Sequence, residues 1–97
     1  MYSLIKTPLA ENDLIYIWQY SFEEWGERKA NTYLNGIDLA LKRLCQNPTL
    51  YPERSEFTPA VRFMPFKQHI CIYQLREQGI LLIRVLHQSM DIDTQLK

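Results

Sequence analysis

The sequence predicts a two-layer α+β domain of order βααβββ, in which a helical hairpin packs on one face of a mostly antiparallel four-stranded sheet. In the first half of the chain, apolar residues recur at three- and four-residue steps, the period of an amphipathic helix. Residues 61–86 instead form short runs rich in branched and aromatic side chains, as strands do. A proline-containing segment divides the two halves. Helices and a sheet that each carry one apolar face bury those faces against each other.

The first elements are a short strand over residues 2–6 and a helix over residues 8–25. Thr7 and Pro8 separate them, and this pair suits the N-cap and first position of a helix. The apolar positions of the helix predict one buried face: Ala10, Leu14, Ile17, Trp18, Phe22 and Trp25. Gly26 interrupts the pattern and is expected to end the helix.

A second helix is predicted over residues 27–46, which makes the two helices an antiparallel hairpin. Its apolar positions again follow helical steps, at Ala30, Tyr33, Leu34, Ile37, Leu41 and Leu44. Asn47 and Pro48 end it, because proline removes a backbone donor and cannot continue a helix. Pro48 to Pro59 then reads as a loop.

Three strands follow, at Val61–Phe66, His69–Arg76 and Ile80–Leu86, with a turn at Glu77–Gly79. In the last strand the residues of both faces are apolar except for Arg84. This pattern predicts a central strand that is covered on both sides for much of its length. The tail from Gln88 is expected to carry one helical turn or to fray.

Composition limits what the chain can be. With 97 residues it is expected to form a single domain, residues 1–97. Eleven basic and eleven acidic residues give a formal net charge of zero, which argues against direct binding of nucleic acid through a broad cationic surface. No signal peptide and no apolar run of membrane-spanning length stand in the sequence, so a cytoplasmic location is expected. Cys45 and Cys71 have apolar neighbours and are expected to be reduced core residues.

Several short motifs together resemble the ParE toxins of the RelE/ParE superfamily. In the helices these are Asp13-Leu14 with Ile17-Trp18 and Tyr20, then Trp25-Gly26 with Ala30 and Tyr33. In the strands they are Arg62, His69–Tyr73 and the run Ile83–Asp91. The resemblance extends from Leu4 to Asp91. The sequence departs from the family pattern at Tyr51-Pro52, where Gly-Arg is usual, and at Phe66-Lys67-Gln68, where Gly-Ser is common.

The resemblance implies the toxin of a type II toxin–antitoxin system, associated with plasmid stabilisation. Such a toxin binds DNA gyrase, through its A subunit, and traps it on cleaved DNA without covalent chemistry or a cofactor. A ParD-like antitoxin would neutralise it in a hetero-oligomer, with a segment that orders on binding and covers the sheet face and a helical groove.

Candidate contact residues follow from the predicted layers. The sheet face away from the helices is expected to be left for a partner. Target contacts are expected to cluster toward one end of the sheet, at Arg62, Lys67, His69, Arg84, His87, Met90 and Asp91. Large apolar residues on the exposed part of the hairpin are the candidates for antitoxin binding: Trp18, Phe22, Trp25 and Tyr33.

Two alternatives stay open. A ribosome-dependent messenger RNA endonuclease of the RelE type needs a base, an acid and cations at the phosphate, for which Arg62, Arg84 and His87 are the candidates. Positions 84 and 87 point to opposite faces of a regular strand, so they share one site only if the strand ends or bulges near Leu86. The other alternative is a degenerate, non-toxic member that still binds antitoxin. No metal site is expected, because two histidines without further ligands at metal spacing are too few.

Overall fold

The predicted helical hairpin is present in the computed structural model, which describes residues 3–77 and 79–96. Helix α1 spans Pro8–Trp25 and helix α2 spans Glu27–Gln46. The side chain of Thr7 accepts a hydrogen bond from the amide of Ala10 and so caps α1. Gly26 has φ 89°, a backbone conformation that favours glycine, and its amide donates to the carbonyl of Phe22. One glycine therefore ends the first helix and begins the second.

The sheet has five described strands, where four were predicted. They are β1 (Ser3–Lys6), β2 (Glu53–Arg54), β3 (Val61–Phe66), β4 (His69–Arg76) and β5 (Gly79–His87), in the order β1-β5-β4-β3-β2. The additional strand β2 lies in the segment predicted as a loop and pairs antiparallel with the edge of β3. Glu53 and Arg54 lie among prolines and are too short a run to show a strand pattern. Only their pairing with the edge of β3 makes them a strand. The pairing of β1 with β5 is parallel and the others are antiparallel, so the sheet is mostly antiparallel, as predicted.

Smaller differences concern the ends of elements. Tyr2, placed in the first strand by the sequence, lies outside the described residues, as does Gln78 of the predicted turn. Gly79 belongs to β5 and not to the turn, because it pairs in register with Ser3. The tail forms a short helix α3, Ile92–Leu96. The strand at the centre of the sheet is β4, and β5 lies between it and β1.

The main core lies between the helical hairpin and one face of the sheet. Ile17, Ile37, Leu41, Cys71 and Tyr73 are among its buried side chains. Both cysteines of the chain are buried and unpaired, as expected. The opposite sheet face was predicted to be open for a partner, and this is wrong in part. This face carries a second cluster of apolar residues, in which Phe57 of the loop before β3 and Ile92 and Leu96 of α3 pack over the strands. The strand residues of the cluster are Val61, Phe63, Ile70, Ile72, Ile83 and Leu86.

Strand β5 continues beyond the end of its neighbour β1, and the start of helix α1 lies along the part of the β5 edge that β1 does not reach. β1 ends at Lys6, which pairs with Leu82. Ile83 is an extra residue in the β4–β5 pairing, because Tyr73 pairs with Leu82 and Ile72 with Arg84. The Thr7 hydroxyl donates to the Ile83 carbonyl at 2.7 Å. The start of α1 therefore satisfies the edge of the sheet where β1 no longer reaches.

Candidate functional site

An open groove of about 480 Å³ lies between helix α1 and the end of the sheet at which strand β5 ends. Its walls are mostly aromatic and aliphatic, and its polar groups come from both the helices and the sheet side. The side chains that define it, called the α1–β5 groove below, are Tyr16, Tyr20, Trp25, Tyr33, His69, His87 and Met90. Ligand grooves in proteins commonly have this composition, an apolar lining with a few placed polar groups.

Helix α1 supplies the exposed wall of the groove. Tyr16, Tyr20 and Trp25 are 64%, 51% and 55% exposed, although each is large and partly apolar. The rings of Tyr20 and Trp25 meet edge to face, with centroids 6.1 Å apart. Contiguous exposed apolar side chains of this kind mark an interaction surface. Tyr16 and Tyr20 are not among the residues predicted for binding, although their spacing of four residues puts them on one helical face.

The floor of the groove is a row of three polar rings. His69 and His87 face each other across β4 and β5 in register, with ring centroids 5.3 Å apart and planes nearly perpendicular. Cys71 and Val85, two residues away on the same strands, lie in the main core, so both histidines are on the helix-covered face. The Tyr33 hydroxyl of α2 lies 2.6 Å from His69 Nδ1.

His87 also organises the turn that follows β5. The amide of Ser89 donates to His87 Nδ1 at 3.1 Å, and the Ser89 hydroxyl lies 2.7 Å from the same nitrogen. The amide of Met90 donates to the His87 carbonyl at 2.9 Å. The side chain and the carbonyl of His87 therefore both hold the turn that brings Met90 to the groove.

Burial changes the acidity of the groove floor. Desolvation lowers the pKa of His69, and the nearby charge of His87 lowers it further. Desolvation likewise raises the pKa of Tyr33, although a backbone hydrogen bond from Gln68 opposes the change. At neutral pH the floor therefore presents an uncharged phenol and an uncharged His69 imidazole.

Arg84 lies outside this row because Asp13 binds it. Its Nε and Nη2 donate to the two carboxylate oxygens of Asp13 at 2.7 and 3.0 Å, and both side chains are 16% exposed. Asp13 also accepts the amide hydrogen of Val85. The bonding to Asp13 raises the pKa of Arg84. Its guanidinium is thus a structural group at the edge of β5.

Arg62 lies away from the groove. It pairs with Tyr73 near the start of β3 and donates from Nη1 to the carbonyl of Tyr51 at 2.6 Å. At about 3.3 Å per strand residue, Arg62 is on the order of 13 Å from Phe66, where β3 ends beside His69. The expected clustering of all target residues is therefore wrong for Arg62. The bulge at Ile83 precedes Arg84, so it does not bring Arg84 and His87 to one face, and the trio predicted for RNA cleavage is not assembled.

The remaining target candidates lie near the mouth of the groove. Lys67 is exposed at the tight turn between β3 and β4, with φ 52° and its Nζ 5.5 Å from the centre of the Tyr33 ring. Met90 is 43% exposed and lines the groove. Asp91 follows it and accepts a hydrogen bond from the Thr94 hydroxyl. Four of the predicted target residues thus surround or line one groove: Lys67, His69, His87 and Met90.

The four residues predicted for antitoxin binding divide into two pairs. Trp25 and Tyr33 line the groove. Trp18 and Phe22 do not, and their rings stack with centroids 5.2 Å apart. The Trp18 indole donates to the side chain of Asn31 on α2 at 2.8 Å, which ties the two helices together.

A second cavity, of about 690 Å³, lies on the other face of the sheet between the loop before β3 and helix α3. Phe57, Val61, Ile83 and Leu96 are among its lining residues. None of the target or antitoxin candidates lines this cavity, whereas five of them line the α1–β5 groove: Trp25, Tyr33, His69, His87 and Met90.

The chain resembles known proteins over nearly all of its length. Residues 4–92 match the model of a family described as ParE toxin of type II toxin-antitoxin system, parDE. A protein named Toxin ParE1 from Mycobacterium tuberculosis (strain CDC 1551 / Oshkosh) is 32% identical over 93 residues, covering 95% of each chain. Toxin ParE from Escherichia coli is 31% identical over 98 residues, covering 99% of this chain and 94% of that one.

A solved structure has the same fold. It is described as a chromosomal ParDE TA system from P. aeruginosa, and its chain superposes with a TM-score of 0.77 at 24% identity, over 90% of this chain and 96% of that chain. Within the part of the chain that the structure describes, no helix is both long and apolar enough to cross a membrane.

Proposed function

Since this chain belongs to the ParE toxin family of type II toxin–antitoxin systems, we propose that it inhibits DNA gyrase by binding the enzyme and trapping it on cleaved DNA. We further propose that it acts in the cytoplasm and that a ParD-type antitoxin neutralises it in a hetero-oligomer. The names of the relatives and of the ParDE structure support that kind of partner.

The observation that carries the proposal is that antitoxin and target candidates meet in one groove. Trp25 and Tyr33, selected for antitoxin binding, line it together with His69, His87 and Met90, selected for target binding. An antitoxin segment in this groove covers the target surface itself. Neutralisation then needs no change of shape in the toxin, only steric exclusion.

The groove suits a segment that orders on binding. Its walls offer exposed aromatic side chains, which provide large contact areas at low conformational cost. A disordered antitoxin segment can follow such a surface and loses its conformational entropy only when it binds. The toxin without its partner leaves Tyr16, Tyr20 and Trp25 in water.

Binding, and not RNA cleavage, is the mechanism that the contacts favour. Two cations of the candidate cleavage trio are engaged within the fold: Arg84 by the Asp13 carboxylate and Arg62 by the Tyr51 carbonyl. A cation that stabilises a developing phosphate charge has to point at the phosphate. We therefore assign target contact to Lys67, His69, His87, Met90 and their neighbour Asp91, and structural roles to Arg62 and Arg84.

The experiment is a supercoiling and DNA-cleavage assay with purified gyrase. The toxin is expected to make cleaved DNA accumulate, and prior addition of the antitoxin is expected to abolish this. Alanine substitutions at Lys67 and Met90 are expected to reduce accumulation without changing the thermal unfolding midpoint. If gyrase is unaffected while ribosome-bound messenger RNA is cut, the proposal is wrong and the endonuclease alternative holds.

A second test concerns the groove. Trp25→Ala is expected to weaken antitoxin binding by about 2 kcal/mol, the scale of an aromatic hot spot. Phe22→Ala is the matched control, because Phe22 is an exposed aromatic residue of the same helix that does not line the groove. Equal losses for the two variants would place the antitoxin elsewhere.

A further inference from the structure

The chain has two histidines, and both lie side by side in the floor of the α1–β5 groove. Their rings are 5.3 Å apart across β4 and β5. Histidine is the side chain whose ordinary pKa, about 6.5, lies near neutral pH. The two side chains of the type that can change charge near neutral pH therefore lie together in one surface.

Each of the two imidazoles has a hydrogen-bonding partner at its Nδ1 atom. The Tyr33 hydroxyl is 2.6 Å from Nδ1 of His69, and the Ser89 amide donates to Nδ1 of His87 at 3.1 Å. A protonated imidazole has two donors and no acceptor. Protonation of His87 therefore removes the bond to Ser89, in the turn that carries Met90. On His69 it reverses the hydrogen bond with Tyr33.

No free negative charge from the described lining compensates a proton here. Helix α1 contributes Asp13, the one acid among the described lining residues, and Arg84 with the Val85 amide occupies its carboxylate. The other titratable groups of the groove and its surroundings are phenols, a thiol, an amine, and a carboxylate that accepts a hydrogen bond from one of the phenols: Tyr16, Tyr20, Tyr33, Cys71, Lys67 and Glu24. Asp91, just beyond the lining, accepts from Thr94.

We propose that the groove is a proton-sensitive docking surface: an apolar segment of the antitoxin covers the floor formed by His69 and His87, so that binding is tight at neutral pH and weakens as His69 takes up a proton. This inference rests on the antitoxin docking proposed above and adds the regulation of the same surface.

The sign follows from desolvation. In the free toxin, burial and the neighbouring His87 lower the pKa of His69. An apolar segment removes the water that remains and lowers this pKa further, so the complex binds fewer protons than the free toxin. Affinity therefore falls as the pH falls through the lowered pKa of His69, by at most about tenfold per pH unit for each proton released on binding. A partner carboxylate beside the histidines would produce the opposite slope.

The test uses the full-length toxin and the full-length product of the adjoining antitoxin gene in isothermal titration calorimetry. Dissociation constants are measured at about pH 7.5 and 5.5, in buffers of different ionisation enthalpy that count the protons released. The wild-type toxin is expected to bind at least about threefold more weakly at the lower pH than at the higher. The double variant His69→Gln/His87→Gln is expected to vary by less than about twofold over the same range, whatever its affinity at the higher pH.

Because the double variant lacks both imidazoles, its remaining pH dependence measures the titration of groups on the antitoxin, and this can be subtracted from the pH dependence of the wild type. If the double variant does not fold by circular dichroism, His87→Gln replaces it; that variant retains His69 and is expected to lose part of the pH dependence. Absence of binding at neutral pH rejects the docking proposed above, and this inference with it. Binding that does not change with pH, or that strengthens in acid, rejects the proton-sensitive surface alone.

Discussion

The carboxylate of Asp13 on helix α1 receives two hydrogen bonds from Arg84, at 2.7 and 3.0 Å, and a third from the amide of Val85 at 2.9 Å. One side chain thereby neutralises a largely buried guanidinium and satisfies the β5 edge beyond the last residue of β1. The pair ties the first helix to the sheet across 71 residues of sequence. It also removes Arg84 from the groove floor, where His69 and His87 lie.

Asp13→Ala is expected to lower the free energy of unfolding by about 3 kcal/mol, because it leaves a largely buried charge and an amide without their acceptor. The matched control is Asp38→Ala, which breaks the exposed pair with Lys42. It is expected to cost less than about 0.5 kcal/mol. Urea unfolding of both variants decides this, and similar midpoints would contradict a structural role for the Asp13–Arg84 pair.

Gly79→Ala is expected to destabilise the sheet by about 2 kcal/mol, the scale of overpacking. A Cβ at this position would overlap the backbone carbonyl of Ser3, with which Gly79 pairs in register. Gly36→Ala is the control, since its Cβ would meet the ring tip of Phe66 at 2.8 Å, and a side chain can move. Its cost is expected to be smaller, because alanine also favours the helix by about 1 kcal/mol. Thermal unfolding that ranks the two variants in reverse would rule out this close approach.

Lys67→Gly is expected to raise the free energy of unfolding by about 0.5 kcal/mol. Lys67 has φ 52°, in the left-handed region that costs residues with a Cβ about 1 kcal/mol, partly offset by the greater freedom of glycine when unfolded. Lys67→Ala keeps the Cβ and removes the amine, so it is expected to produce no gain. Chemical denaturation separates the two, and equal stabilities would mean that the turn is unstrained.

Stability is expected to fall in alkali because of Cys71. Burial raises the pKa of its thiol to about 12 from an ordinary value of 9.0. The folded-state pKa is the higher one, so this contribution is fully present below pH 9 and is lost as the pH rises from 9 toward 12, by at most about 1.4 kcal/mol per pH unit. In Cys71→Ala the alkaline slope of the unfolding free energy is expected to be shallower. Identical slopes would assign the loss to other groups, such as Tyr73, whose pKa burial also raises.

Sequence patterns were sufficient for most of the fold because they record local preferences. The period of apolar residues in α1 and α2, Thr7 at the N-cap and Gly26 at the junction each act within a few residues, and the helices end where predicted. Strand β2 was not predicted, because its conformation depends on its pairing with β3 and not on its own residues.

The candidate site was predictable only in part. His69, His87 and Met90 were selected from the family pattern, and register then brought the two histidines together. Tyr16 and Tyr20 were not predicted as binding residues, because the helical periodicity of the sequence does not show which exposed face of a helix borders a groove. Arg62 and Arg84 were selected for charge, but each guanidinium donates to a group elsewhere in the fold, a carbonyl in one case and a carboxylate in the other.

By itself, the sequence determined the layer architecture, the helical hairpin and the family, because local periodicity, capping residues and short motifs are written in neighbouring positions. The tertiary structure alone decided which charged side chains are engaged within the fold and which polar rings meet in the groove. Those outcomes depend on strand register, on the extra residue at Ile83 and on the early end of β1. Each of them joins residues that are far apart in the chain, where no local preference acts.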